Sequence, residues 1–166
     1  MPTLTIRKAT PADTAAITAL EAACFPPAEA APYESFAARL MAFPDRFWLL
    51  FADGELVSMV NGSLSDEEDL RDEMFHDTAL HTPNGRWQMI FGVATHPDHR
   101  RKGYAGMLLK TVIRECREEA PQGREGLVLT CKEEKLHYYA GFGFVSEGIS
   151  SSEHGSAAWY QMRIRF

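Results

Sequence analysis

Cysteine is scarce in this chain: its 166 residues include three, Cys24, Cys116 and Cys131. They are odd in number, far apart and form no CxxC pair, which argues against a disulfide framework and against a thiolate zinc site; no metal is expected. Such usage fits a reducing cytoplasm. Long hydrophobic runs are also missing. Phe47 to Phe51 is far too short to span a bilayer, and Met1 to Ala9 carries no apolar stretch of the signal-peptide kind. There is no excess of basic charge either. The formal net charge is -6 at pH 7, so the chain has no broad electrostatic grip on nucleic acid or anionic membrane, and neither is expected as a partner. Mild acidity suits a cationic substrate slightly better, although a solvated acidic surface explains it as well. What remains is ordinary for a globular protein: 45% hydrophobic and 24% charged residues, in a length that fits one domain spanning residues 1–166.

No repeat or low-complexity linker divides the sequence. Leu4 to Arg7 reads as a first strand. Thr10-Pro11-Ala12-Asp13 has the makings of a helix start, with a capping threonine, proline at the first helical position and an acid in the first turn. That helix is expected to reach about Ala23. Phe25 to Pro32 reads as a loop, and Tyr33 to Ala42 as a second helix with Phe36, Leu40 and Met41 on its apolar side. Asp53-Gly54 between Phe47–Phe51 and Leu56–Gly62 signals a hairpin. The acidic stretch Ser65 to Asp72 reads as an exposed helix or loop. Trp87 to Thr95 reads as one continuous strand. Met107 to Glu118 has helical spacing, with Leu108, Leu109, Val112 and Ile113 inward. Leu127 to Cys131 is a strand, Glu134 to Ala140 a short helix, and Phe142–Val145 and Ala157–Arg165 two last strands. This order predicts an α/β fold with a mixed sheet.

The most informative stretch runs from Val93 to Met107. A strand ends, a turn carrying Arg100, Arg101, Lys102 and Gly103 follows, and a helix begins near Gly106. Such a junction aims backbone N–H groups and the positive end of a helix dipole at one spot, where a diphosphate is the natural guest. Gly103 and Gly106 keep side chains out of its way. The spacing is neither GxGxxG nor a P-loop. Three cations and two glycines alone fit a solvated basic turn equally well.

Two motifs break that tie. Arg100-Arg101-Lys102-Gly103-Tyr104-Ala105 resembles the Arg/Gln-x-x-Gly-x-Gly/Ala coenzyme A signature of the GNAT (GCN5-related N-acetyltransferase) superfamily, and Tyr138-Tyr139-Ala140-Gly141-Phe142-Gly143-Phe144 resembles its second marker, an aromatic residue followed by Gly-Phe. Within the superfamily the chain is most similar to the arylalkylamine (serotonin) N-acetyltransferases. Short matches lie at Glu21-Ala22-Ala23-Cys24-Phe25 with Pro32, at Phe51 to Val57, at Asn61 to Leu64, at Leu129-Thr130-Cys131 and at Trp159 to Met162.

The resemblance implies a GNAT fold: a mixed, mostly antiparallel twisted sheet with helices on both faces and two splayed central parallel strands. It implies acetyl-CoA as acyl donor and direct attack by the primary amine of a small molecule in a ternary complex. The pantetheine arm would lie along Phe91, Gly92, Val93, Ala94 and Thr95, with the Val93 N–H as oxyanion donor. The diphosphate would fall to Arg100, Arg101, Lys102, Gly103, Tyr104, Ala105 and Gly106. Gly92 suits a bulge, or simply close packing. Tyr139 matches the tyrosine that protonates the departing thiolate; a core aromatic is the plain alternative. Phe25, Pro32, Met89 and Trp159 match substrate-facing positions, and Phe25 and Trp159 suit a core equally. The arylalkylamine enzymes carry two histidines on the strand before the diphosphate turn, whereas Met89 and Phe91 stand at those positions here. His137 reads as a surface histidine, and His96 and His99 as neighbours of phosphate or solvent. Asp66 and Glu67 follow the hairpin and could draw protons through water, although a solvated acidic face explains them better; a water relay to an unidentified acid is the expected proton route. Other readings are a GNAT enzyme for a polyamine, an aminoglycoside or a protein N-terminus, an acyl-CoA sensor without catalysis, and a nucleic-acid binder using Arg100 to Lys102.

Overall fold

Phe47-Trp48-Leu49-Leu50-Phe51-Ala52 has no polar residue, which suits a strand covered on both faces rather than a half-exposed one. The computed structural model describes residues 1–166, and five of those six side chains are buried; Phe51 alone is partly exposed. The strands are β1 (Leu4–Lys8), β2 (Phe47–Ala52), β3 (Glu55–Asn61), β4 (Leu64–Ser65), β5 (Trp87–Ile90), β6 (Gly92–Thr95), β7 (Gly126–Cys131), β8 (Val145–Ile149) and β9 (Tyr160–Arg165). The α-helices are α1 (Thr14–Cys24), α2 (Tyr33–Ala42), α3 (Glu73–His76), α4 (Tyr104–Glu118) and α5 (Leu136–Ala140). The chain forms two compact units: residues 1–61 with 92–112, and residues 62–91 with 113–166.

The first unit holds an antiparallel sheet in the order β1-β2-β3-β6. Asp53 and Gly54 both take positive φ (51° and 82°), the geometry of a type I′ turn, so the hairpin falls where Asp-Gly places it. Ile17, Leu20, Phe36, Leu40, Phe43 and Phe47 are buried; Phe47 packs edge-on to Phe36 and stacked on Phe43, with ring centroids 6.3 and 6.0 Å apart. Before α1 the Asp13 carboxylate accepts the Thr10 N–H at 2.8 Å and pairs with Arg7. In α2, Phe36 and Leu40 are buried as their spacing predicts, but Met41 is 78% exposed. It follows Leu40 by one position, about 100° round the helix and off the apolar stripe.

The second unit holds a sheet in the order β4-β5-β7-β9-β8, with one parallel pair, β5 with β7. The architecture is therefore mixed α/β and mostly antiparallel, as expected. The acidic stretch is a loop, one of the two forms its sequence allows, and the four-residue α3 follows it. Two other segments differ from the sequence reading. The segment after α5 turns before β8 begins at Val145. Gly143 has φ 104°, and the Phe142 and Phe144 N–H groups both donate to the Tyr139 carbonyl, so residues 142–144 are a turn and not a strand. Most consequentially, Trp87 to Thr95 is not continuous: β5 pairs with β4 and β7, the ladder stops at Ile90, and β6 pairs with β3.

Two close approaches stabilise that break. A Cβ on Gly62 would lie 1.8 Å from the Met89 carbonyl oxygen, so only glycine fits there. The buried Gln88 carboxamide donates to the Gly62 and Met89 carbonyls at 2.9 and 2.7 Å, satisfying acceptors that a continuous ladder would have paired. A Cβ on Gly92, by contrast, would meet only ordinary contacts, Asn61 Nδ2 at 3.8 Å and Glu21 Oε1 at 3.9 Å. Gly62→Ala is expected to destabilise the protein by about 3 kcal/mol or more, a fall in Tm of about 6–12 °C, while Gly92→Ala leaves Tm within a few degrees. Thermal unfolding of the two variants checks both.

Candidate active site

β6 is the last strand of its sheet, so one of its edges carries no ladder. The His96 N–H donates to Val57 O at 2.9 Å. N–H groups alternate sides along a strand, so those of Ala94 and Gly92 also face β3, and those of Val93 and Thr95 face the open edge. Ser58 ties the strand from β3, its Oγ donating to the Ala94 carbonyl at 2.9 Å and lying 2.9 Å from Thr95 Oγ1. The Thr95 carbonyl, on the open side, accepts from Cys24 Sγ at 3.2 Å and from Arg100 Nε at 3.1 Å. Arg100 thus folds back onto the strand end and fixes the start of the turn. Burial raises the Cys24 thiol above its usual range against the opposing pull of Arg100, so it stays protonated.

Past Arg100 the sign of φ alternates: Arg100 is at −73°, Arg101 at +64°, Lys102 negative and Gly103 at +80°. That alternation makes a concave row of N–H groups. α4 begins at Tyr104, three residues before the predicted start, and its first intrahelical donor is Met107, bonded to Gly103 O at 3.0 Å. The Tyr104, Ala105 and Gly106 N–H groups therefore head the helix without an intrahelical acceptor. Arg101 and Lys102 are exposed beside them. Gly103 is required by its φ and not by space, since a Cβ there would meet nothing within 4 Å.

Also in the first unit, Phe25 is half-buried at the end of α1 and Pro32 is exposed at the head of α2. The loop between them is held by an acid that the sequence reading did not assign a role: buried Glu21 Oε2 accepts the Ala31 N–H at 3.0 Å. Arg39 is buried near its charge and donates to Asn61 Oδ1 at 3.1 Å. Burial pulls the Arg39 guanidinium down to about 10, with Glu21 opposing. The available signal was periodicity. Glu21 falls four residues after Ile17 and Arg39 three after Phe36, so both occupy buried helical positions where a charge needs a partner.

In the second unit Tyr139 is half-buried, its ring edge-on to Tyr138 and Phe144 at 5.1 and 6.0 Å. Burial first, then the nearby Tyr138 and Cys131, push its phenol well above the ordinary tyrosine range. The Cys131 thiol is pushed up to about 11, mainly by burial. Met89, expected to face substrate, is instead core: it is fully buried with Leu70, Met74, Trp87 and Val128. Phe91 is half-buried and stacks on Phe75 at 4.5 Å. Trp159 is half-buried, its Nε1 donating to His154 O at 2.7 Å. His137 is exposed. Asp66 accepts from Arg86, and Glu67 pairs with Arg71 at 2.8 Å, so both acids are engaged at the surface. No group of three or more His, Cys, Asp or Glu is gathered to hold a metal ion, and no helix is long and apolar enough to cross a membrane.

The geometry sets a test for the turn. Gly103→Ala forces a side chain into the left-handed region, which costs about 1–2 kcal/mol of stability, and distorts the N–H row. It is expected to weaken pyrophosphate binding at least threefold by calorimetry while the protein stays folded.

Comparison with known proteins fits this arrangement. A model of the acetyltransferase (GNAT) family matches residues 14–144. Serotonin N-acetyltransferase from Mesocricetus auratus is 29% identical over 113 residues, 68% of this chain and 52% of that protein, so the chain spans about half the length of this curated relative. Two solved structures share the fold at a TM-score of 0.84: the loading GNATL domain of CurA from Lyngbya majuscula, 16% identical and covering 98% of both chains, and the GphF GNAT-like decarboxylase in complex with isobutyryl-CoA, 22% identical and covering 97% of this chain and 98% of that one. With the family pattern matched over most of its length and the fold shared end to end, the chain belongs to the acetyltransferase (GNAT) family.

Proposed function

We propose that this protein is a single-domain cytoplasmic N-acetyltransferase that moves the acetyl group of acetyl-CoA onto the primary amine of a small arylalkylamine, by direct attack in a ternary complex. The observation that carries the reading is the junction from β6 to α4: an open strand edge leading into an alternating turn and an unpaired helix N-terminus. An amide-bearing arm ending in a diphosphate matches such a junction. The strand edge offers N–H and C=O groups to the arm, and the turn offers a row of N–H groups with Arg101 and Lys102 beside it.

Acetyl-CoA supplies the activated acyl thioester. The Val93 N–H, fixed on the open edge, donates to the carbonyl oxygen as negative charge grows there. Tyr139 donates a proton to the leaving sulfur. Its phenol is held protonated by burial, so it acts as an acid and not as a base across the working pH range. Phe25 and Pro32 in the first unit, and Trp159 in the second, are each apolar or aromatic groups of the kind an arylalkyl amine gains from. The relative named for serotonin supports that choice of acceptor.

Thiol release from acetyl-CoA with phenylethylamine, tryptamine, spermidine and lysine tests this reading. Turnover is expected with the two arylalkylamines, at a kcat/KM at least tenfold above the others. Preference for spermidine or lysine points to another acceptor class, and acetyl-CoA binding without turnover points to a sensor. Tyr139→Phe is expected to lower kcat about 10²-fold with little change in acetyl-CoA affinity. Because the phenol's pKa is raised, the protonated acid persists as pH rises. The wild-type kcat should therefore show no alkaline fall through pH 9.5, which a pH–rate profile checks.

A further inference from the structure

The acid that holds the loop between Phe25 and Pro32 also touches β6, and every residue concerned belongs to the first unit. Glu21 lies in the last turn of α1 and is 8% exposed. It brackets the loop. Its backbone carbonyl accepts the Phe25 N–H at 3.1 Å, and its Oε2 accepts the Ala31 N–H at 3.0 Å. The Glu29 and Ala30 N–H groups both donate to Pro26 O, at 2.8 and 2.9 Å, and so close the loop on itself. Those two bonds fix its shape, whereas the bonds to Glu21 fix its place. The bond to the carboxylate is the stronger kind, because its acceptor is charged.

The other carboxylate oxygen faces the strand. Oε1 is 3.9 Å from where a Cβ on Gly92 would stand, and Asn61 Nδ2 is 3.8 Å from the same point. Gly92 is the first residue of β6, pairs with Asn61 in the ladder and is followed by Val93. Asn61 Oδ1 accepts from Arg39 Nη1 at 3.1 Å, and the Glu21 charge favours that of Arg39. The vacant side-chain position of Gly92 is thus bordered by two members of one buried polar cluster. Hydrogen-bonded networks of this kind are rigid. The two oxygens of a carboxylate sit on one carbon, so the group cannot follow the loop without moving against the strand.

We infer that Glu21 is a positioning residue for acetyl transfer: its one carboxylate sets the loop carrying Phe25 and Pro32 against the strand residue that precedes the Val93 N–H. The inference rests on the acetyltransferase reading. Glu21 takes no part in bond making. It holds the surface offered to the acceptor at a fixed distance from the acyl carbonyl, and misplacing a reacting pair by about 1 Å is enough to cost about 10²-fold in rate. Aspartate keeps the charge beside Arg39 but is one methylene shorter, so it cannot reach both Ala31 and Gly92. Glutamine keeps the length and an oxygen for the Ala31 N–H but removes the charge.

Steady-state kinetics of the full chain with tryptamine and acetyl-CoA test this. In Glu21→Asp the KM for tryptamine is expected to rise about fivefold and kcat to fall about tenfold, while coenzyme A affinity by calorimetry stays within about twofold of the wild type. Glu21→Gln, which preserves the reach, is expected to lie between the two in its KM. A smaller folded fraction lowers kcat and leaves KM unchanged, so the KM separates positioning from mere stability. A Glu21→Asp enzyme with the wild-type KM for tryptamine overturns the inference, as does a Glu21→Gln enzyme whose KM rises more than that of Glu21→Asp. If the wild type turns over no amine, the acetyltransferase reading falls. The backbone amide signals of Ala31 and Val93 then decide the inference. Both shifted in Glu21→Asp keep the carboxylate as the link from loop to strand, and an unmoved Val93 signal removes it.

Discussion

The structure depends on one interruption of backbone hydrogen bonding. A strand that ran unbroken from Trp87 to Thr95 could satisfy its amides against neighbouring strands throughout. Here the ladder with β7 stops at Ile90, and the chain resumes as β6 with a partner on one side only. Every group freed by such a break must find another partner or face a ligand or water. The Gln88 carboxamide takes up the carbonyls at Gly62 and Met89, and the missing side chain of Gly62 lets those backbones touch. What remains unpaired by a strand is the edge carrying Val93, and that edge runs directly into the turn at Arg100. The proposed acyl arm and the proposed diphosphate pocket are thus consequences of one backbone event and not two separate inventions.

Buried charge does related work in the first unit. Glu21 and Arg39 are each nearly inaccessible, and burying either alone would be costly. Together they span α1 and α2, with Asn61 as a third member at the end of β3. The same carboxylate accepts from Ala31, so the loop between Phe25 and Pro32 inherits its order from a buried acid near Arg39. A loop rich in proline and alanine reads as mobile from composition, yet the Glu29 and Ala30 N–H groups also close a turn on Pro26 O. Its conformation is set by polar anchors and not by its own apolar content.

Local chemistry accounts for which features were legible in the sequence. Asp53-Gly54, the Tyr33–Ala42 helix and the turn from Arg100 to Gly103 depend on residues adjacent in the chain, and all three lie where their sequences place them. The break at Phe91 does not. Its causes are Gly62 and Gln88, and nothing in the apolar run Met89-Ile90-Phe91 marks it. Met89 illustrates the same limit. Its position matched a substrate-facing one, but Leu70 and Met74, from a loop and a short helix with no strong sequence signal, close over it.

Solvation also sets the acids of the second unit. Burial disfavours the charged form of any group that ionises to an anion, and it raises both Tyr139 and Cys131. Two groups that would become anions are thereby kept neutral near each other, which suits a site where a thiolate must leave and be protonated. A catalytic acid can sit in such surroundings without penalty because its working form is the uncharged one.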